Sequence, residues 1–396
     1  MQGLQELVNL PEKEKERLGV SATAREIAQQ PRTWRGTQKI FEQHLPHLRA
    51  FLEDAGVTGP LEHRPTVVLT GAGTSDYIGQ TLALLLRTEW GCETQAIAST
   101  DLLMNMADYL IPGRHYLMIS FSRSGDSPEG VAVLAQALKN YPEIAHLVVS
   151  CNEHATMAKL VRERSQAYVV VLDDEVNDRG LAMTSSFSNM TLFGQCLAHT
   201  WSNNAYAALF ESLVHAGEVF LPVADTAARE LAEKKYRRVC VLGSGALTAV
   251  ARESALKILE MTAGGIKTMS ESVLGLRHGP MAALDKETLL LCFASGDAQR
   301  QQYEADLLEE IGKKDVVAQR VVVGPAGSTR LSQCSDQYLA ITGSIPDLYR
   351  PPVDVMLGQL LGLHTSLAHG LKPDAPSPRG VISRVVGEFR IYEKNK

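Results

Sequence analysis

The 396-residue chain is 45% hydrophobic and 21% charged, which is ordinary for a globular protein and too apolar for a disordered one. Its 39 basic and 45 acidic residues leave a formal charge of −6, so no basic footprint invites nucleic acid, and an anionic ligand has to be held locally. No apolar run approaches the roughly 20 residues of a membrane helix. Glu6 and the charged run from Glu12 to Arg17 stand where a signal peptide would be apolar, so a cytoplasmic protein is expected.

Residues 1–50 read as a helical lead-in. A capping-box pattern at Thr23 to Glu26 opens one helix, Gln30-Pro31 stops it, and a second stretch carries Trp34, Ile40, Phe41 and Leu45. Residues 51–215 alternate short apolar runs (66–70, 116–120, 146–150, 168–172) with helical ones (76–90, 128–140, 154–164), which predicts α/β architecture with a parallel sheet covered on both faces. A long helical stretch over 186–215 leads out to Leu221-Pro222. Residues 216–371 repeat the plan, with strands near 239–243, 288–294, 319–324 and 338–342 and a last helix over 352–370. The tail 372–396, with Pro373, Pro376 and Pro378, cannot form a domain and is expected to lie over the site. Six scattered cysteines without a Cys-x-x-Cys read as reduced core thiols.

The two halves are copies. Gly71-Ala-Gly73 returns as Gly243-Ser-Gly245 and Ser124-Gly-Asp126 as Ser295-Gly-Asp297, at the same displacement to within one residue. Only the first copy keeps hydroxyl-rich turns: Thr74 and Ser75 after its first strand, then Ser122-Arg123-Ser124-Gly-Asp-Ser127 after its second. In a parallel sheet such turns lie at the carboxyl ends of strands, where helix N-termini and hydroxyls can hold a dianion. Thr184-Ser185-Ser186, after the fourth strand, is a third cluster that could complete the wall. N-caps and turns use the same residues, and for any one position that plain explanation is the stronger. The third glycine of a dinucleotide fingerprint is missing, and no Gly-x-x-x-x-Gly-Lys-Ser/Thr occurs.

In the second copy Glu253, Lys257 and Glu260 share one helical face, a pattern also found on solvated helices. His278, in Arg277-His278-Gly-Pro280, lies in a turn away from apolar periodicity and is an acid/base candidate. The closest histidine pairs, His44/His47 and His364/His369, lack fitting partners, so no metal site is expected.

Together, Glu26-Ile-Ala-Gln-Gln-Pro31, Gly71-Ala-Gly-Thr-Ser75, Ser122 to Ser127, Glu253 to Glu260 and Arg277-His-Gly-Pro280 resemble the sugar isomerase (SIS) family from about residue 20 to 390. The resemblance implies two tandem flavodoxin-like domains and a phosphorylated-sugar substrate. The layout is similar to the isomerase half of glutamine–fructose-6-phosphate aminotransferase, with no glutaminase domain expected ahead of it. It also implies phosphate held by Ser75, Ser122, Ser124 and Ser127, with Thr74 and Arg123 beside them. Glu260 would shuttle the proton between C1 and C2, Lys257 would accompany it, and His278 would assist ring opening from a neighbouring subunit. Ser383 stands where the aminotransferases keep a lysine, and Arg384 is left as a substrate-binding candidate. Gln30-Pro31-x-x-Trp34 and Ala182-Met-Thr-Ser-Ser-Phe187 are similar to the galactosamine-6-phosphate deaminase/isomerases, also labelled tagatose-6-phosphate ketose/aldose isomerases. Such chemistry needs no metal or organic cofactor, and the family habit is a homodimer or homotetramer. Plain aldose–ketose isomerisation, glucosamine-6-phosphate deamination and non-catalytic sugar-phosphate sensing remain alternatives.

Overall fold

A computed structural model describes residues 1–387 and 389–392. Four helices lead in: α1 (Leu4–Val8), α2 (Glu12–Leu18), α3 (Thr23–Ala28) and α4 (Gln30–Asp54). The first α/β unit runs β1 (Thr66–Thr70), α5 (Thr74–Trp90), β2 (Thr94–Ala96), α6 (Ser99–Asn105), β3 (Tyr116–Ser122), α7 (Pro128–Asn140), β4 (Ala145–Ser150), α8 (Thr156–Val161) and β5 (Ala167–Val171). Then α9 (Ser185–Ala198) and α10 (Asn203–Glu233) cross to the second unit. It runs β6 (Arg238–Gly243), α11 (Leu247–Met261), β7 (Lys267–Ser272), β8 (Thr288–Phe293), α12 (Ala298–Lys314), β9 (Gln319–Pro325), α13 (Thr329–Gln333), β10 (Gln337–Ile341) and α14 (Pro351–Ala368).

Both sheets are parallel and five-stranded, in the orders β2-β1-β3-β4-β5 and β7-β6-β8-β9-β10. These are the same order, so the repeated motifs mark a duplicated fold. It is a flavodoxin-type sheet whose crossover lies between the first and third strands of each unit, where ligands bind outside the carboxyl ends. The periodicity predicts four strands per sheet. The additional β2 and β7 are edge strands, short or polar (Thr-Gln-Ala; Lys-Thr-Met-Ser-Glu-Ser) and partly exposed, so they lack the apolar runs of their inner neighbours.

Three other expectations change. The helix expected over 186–215 is two helices broken at 199–202, and the second continues through Pro222 to Glu233. Pro222 and Glu218, whose carbonyl loses its partner there, are both exposed, so the break lies on the solvent side of the helix. The capping box at Thr23 does not form. Asp374 of the tail instead accepts the Ala22 and Thr23 N–H groups at 3.0 and 2.8 Å, which frees the buried Glu26 to accept the N–H of Arg179 at 2.5 Å. Finally, among the described residues α10 has the length and apolar content of a membrane-crossing helix; it packs against α14 and α4.

The unit interface is built on α9 and α14. Every residue of α9 is buried, and α14 packs on α9, α10 and α11. Between α4 and this layer, Trp34 is fully buried, donates from Nε1 to Ser188 Oγ at 3.0 Å, and lies over Gly217, where any Cβ would come within 2.6 Å of the ring. Trp34→Ala is expected to cost about 3–5 kcal/mol, the usual range for emptying an indole-sized site. Urea denaturation would read this as a lowered midpoint with little change in slope.

Candidate functional site

At the carboxyl ends of β1 and β3 lies a cavity of about 130 Å³, walled by Ser75 on α5, by the loop from Ser122 to Ser127, and by Arg384 to Val386 of the tail. Local sequence brings these walls together. A Cβ on Gly71 would sit 2.5 Å from that of Ser75, so only glycine lets the first turn of α5 close over the strand end. Gly125 takes a left-handed φ of 63°, which turns the second loop, and Asp126 ties it down by accepting from Thr156 N and Oγ1 at 2.8 and 2.7 Å.

Three features suit this cavity to a dianion. Ser122 and Ser124 accept from the backbone N–H of Gly125 and Asp126 at 3.0 and 3.2 Å. Among the described residues, no protein acceptor takes their hydroxyl hydrogens, or that of Ser127, so these hydrogens are available to donate. No side chain caps α5 or α7, so two positive helix ends meet there. Finally, two guanidiniums lie in the wall without a carboxylate partner among the described residues. Arg123, 6% exposed, donates to the carbonyls of Leu181 at 3.3 Å and Arg384 at 2.5 Å. Arg384 donates to Asp178 O at 2.7 Å and to Asn177 Oδ1 at 2.8 Å. Burial first, then the nearby Arg123 and Arg179, push the Arg384 guanidinium below its ordinary range, a crowding of like charge that an anion would relieve.

The matching turn of the second copy is satisfied from within. Ser295 Oγ donates to Asp347, Gly296 N donates to the same carboxylate at 2.7 Å, Ser295 N donates to Glu304 at 3.0 Å, and Asp297 caps α12. Here the protein supplies its own anions.

The second cluster joins the two copies, where α11 packs on α5. Lys257 Nζ, 1% exposed, donates to Glu260 Oε2 at 2.6 Å and to Thr74 Oγ1 at 2.9 Å, and lies 3.4 Å from the fully buried Glu253. Burial opposes the Lys257 charge, but Glu253 and Glu260 outweigh it and hold the ammonium protonated. Burial pushes the Glu253 carboxyl up to about 8. Glu260 keeps 24% of its side chain in solvent and is the accessible member.

The structure thus gathers Ser75, Ser122, Arg123, Ser124, Ser127 and Arg384 in one cavity, and Thr74, Lys257 and Glu260 in an adjoining cluster. It does not bring Thr184 and Ser185 to the wall. Their N–H groups, at 2.9 and 3.0 Å, and the Thr184 hydroxyl, at 3.1 Å, close on the Asp178 carboxylate, which neutralises the N-terminus of α9 internally. Thr74 is turned out of the cavity. His278 is exposed in a turn, outside both groups. The helix-face pattern passes over Glu253 as surface, although the apolar Ala249 and Val250, one turn earlier on the same face, are buried and carry the sign of a buried face. Asp178 is also missed; its signal is an acid six residues ahead of a Thr-Ser-Ser helix start.

A two-sheet phosphosugar fold of the SIS type is the class that these features define. A D-galactosamine-6-phosphate deaminase, AgaS, of Escherichia coli O157:H7 is 37% identical over 385 residues, covering 93% of this chain and 95% of the relative. A solved structure from Clostridium novyi spans the whole of both chains at TM-score 0.92 and 31% identity. The tagatose-6-phosphate ketose/aldose isomerase structure of Escherichia coli covers 91% of this chain and 96% of its own, at TM-score 0.80 and 31% identity. No family model matches. The chain belongs to the SIS (sugar isomerase) family, together with these relatives.

Behind the cavity, burial first and then Asp178 push the Glu26 carboxyl up to about 8. A folded-state value above the ordinary 4.5 means that the native protein binds the proton more tightly than the unfolded chain does. The contribution of Glu26 to stability is therefore greatest below pH 4.5 and is lost as pH rises toward 8. Denaturation midpoints between pH 5 and 8 should fall less steeply in Glu26→Gln than in wild type, by the equivalent of about 1–3 kcal/mol across the window.

Proposed function

We propose that this protein is an amino-sugar-phosphate deaminase/isomerase that converts D-galactosamine 6-phosphate to D-tagatose 6-phosphate and ammonia. The observation that carries this reading is the pairing of an anion cradle on one copy with a buried ammonium–carboxylate pair on the other, linked through Thr74. The hydroxyls of Ser75, Ser122, Ser124 and Ser127, with Arg123, hold the phosphoryl group, and Arg384 closes the wall. The anchored phosphate sets the register of C1 and C2 against Glu260.

After ring opening, Glu260 takes the proton from C2, the C–H pair forms the C1–C2 double bond of a cis-enolamine, and the C1 carbonyl π pair moves onto O1, which takes a proton from the substrate's C2 ammonium. Glu260 returns the proton to C1 while the nitrogen becomes a C2 imine. Water adds to the imine carbon, the C–N bond breaks, and ammonia leaves with the ketose; no electrons are gained or lost overall. Lys257, donating to Glu260 Oε2 at 2.6 Å, holds the carboxyl group in place for both transfers. His278, exposed in its own chain, serves ring opening in a neighbouring copy, which makes the working unit a homo-oligomer.

An ammonia assay with galactosamine, glucosamine and N-acetylated 6-phosphates tests this reading, with release expected from galactosamine 6-phosphate. Ketose formation from an aldose 6-phosphate without ammonia would favour plain isomerisation, the activity in the name of the Escherichia coli structure. Glu260→Gln should retain phosphosugar binding and lose about 10²–10⁴ in turnover; near wild-type ammonia release would reject Glu260 as the base. Mixing inactive Glu260→Gln and His278→Ala proteins under subunit exchange should restore part of the activity, and a monomer by light scattering would contradict the shared site.

A further inference from the structure

Thr74 is the residue before Ser75 in the first turn of α5, yet its side chain leaves the cavity for the interface with α11. The Thr74 hydroxyl has one hydrogen, and an ammonium has no lone pair with which to accept it. By accepting from Lys257 at 2.9 Å it is left to donate to Glu253 Oε1, 3.2 Å away. Lys257 has three N–H donors and finds three oxygens: Glu260 Oε2, Thr74 Oγ1 and Glu253 Oε1. All but Glu260 are nearly or fully buried, so no solvent replaces a missing acceptor. Without the Thr74 oxygen the ammonium is left with the carboxyl oxygens of Glu253 and Glu260 alone and moves onto Glu260, the nearer one. A carboxylate gripped harder by its counter-ion is a weaker base and is less free to reach carbon.

We propose that Thr74 is a positioning residue for Glu260, acting through Lys257, and that it is not a ligand of the phosphoryl group. The inference rests on the reading of Glu260 as the proton-transfer base. It gives the phosphate helix a second task, because one turn of α5 carries Ser75 to the anion and Thr74 to the ammonium of the other copy.

The test uses the full chain with Thr74→Val, which keeps the branched shape, and Thr74→Ser, which keeps the hydroxyl, both also in a Lys257→Met background. Turnover of galactosamine 6-phosphate and calorimetric binding of tagatose 6-phosphate are measured. Thr74→Val should lose about 10- to 100-fold in kcat, with KM and Kd within about threefold, and Thr74→Ser should recover most of the loss. In Lys257→Met, adding Thr74→Val should change kcat by less than about twofold, since the path is already cut. A tenfold weaker Kd in Thr74→Val, or the same loss of kcat in both backgrounds, would overturn the proposal. Thr74→Ala, read in the same way, serves if the valine variant does not fold. Absence of ammonia release by wild type would defeat the underlying reading and this inference with it; an active wild type with additive losses would defeat this inference alone.

Discussion

A lysine ammonium buried where two copies of one fold meet is the contact on which the arrangement depends. Lys257 belongs to the second copy, and one of its acceptors, Thr74, belongs to the first. Taking that charge out of water is costly, and it is tolerated because every N–H finds an oxygen. The same requirement orients the units, since a small rotation would leave the ammonium with carboxylates alone. Packing of α9 and α14 supplies the bulk of the interface, and buried hydrogen bonds from Gln359 Nε2 to Thr184 O at 3.2 Å and from Gln195 Nε2 to Tyr349 O at 3.1 Å fix its register. The hydrogen-bonded cation adds a further constraint on the same registration.

Duplication followed by divergence explains why the copies differ at equivalent turns. Ser124 Oγ accepts from Asp126 N, and Ser295 Oγ accepts from Asp297 N, so the local turn is retained. What changed is the source of negative charge. In the second copy Asp347 reaches back from the chain ahead of α14, with Arg300 and Arg350 each 3.4 Å from it, and burial pushes the neighbouring Glu304 up to about 6. Among the described residues the first copy has no such carboxylate; Arg123 and Arg384 lean on carbonyl oxygens instead. The turn that is a structural joint in the second copy is, in the proposed function, the anion site of the first.

Much of this was legible in the residues. The repeat, the parallel α/β plan and the hydroxyl turns are local patterns, and inner strands such as β3 and β8 announce themselves as continuous apolar runs. β2 and β7 do not, because an edge strand needs no apolar run on its exposed side. Thr184 and Ser185 have the same composition as the cavity loops. Only the position of Asp178 tells them apart, and that is a tertiary fact. Glu253 was hidden for a related reason, since a charged helical triplet looks alike whether water or another helix covers it. The split of Thr74 from Ser75 follows from helix geometry, in which successive side chains point about 100° apart. Which of them meets the anion depends on where α11 docks.

The tethered carboxylate at Ser295 and Gly296 has a thermodynamic consequence for the two halves. Asp347 is covalently part of the chain, so its effective concentration at that turn is fixed and independent of the medium. The second half therefore carries its counter-charge at any metabolite level. In the proposed function the first half draws its counter-charge from solution, and ligand binding there would stabilise the fold with the logarithm of the free ligand. On that reading, resistance to heat or proteolysis becomes a gauge of phosphorylated metabolite, while the charge balance at Ser295 and Gly296 stays the same at every metabolite level.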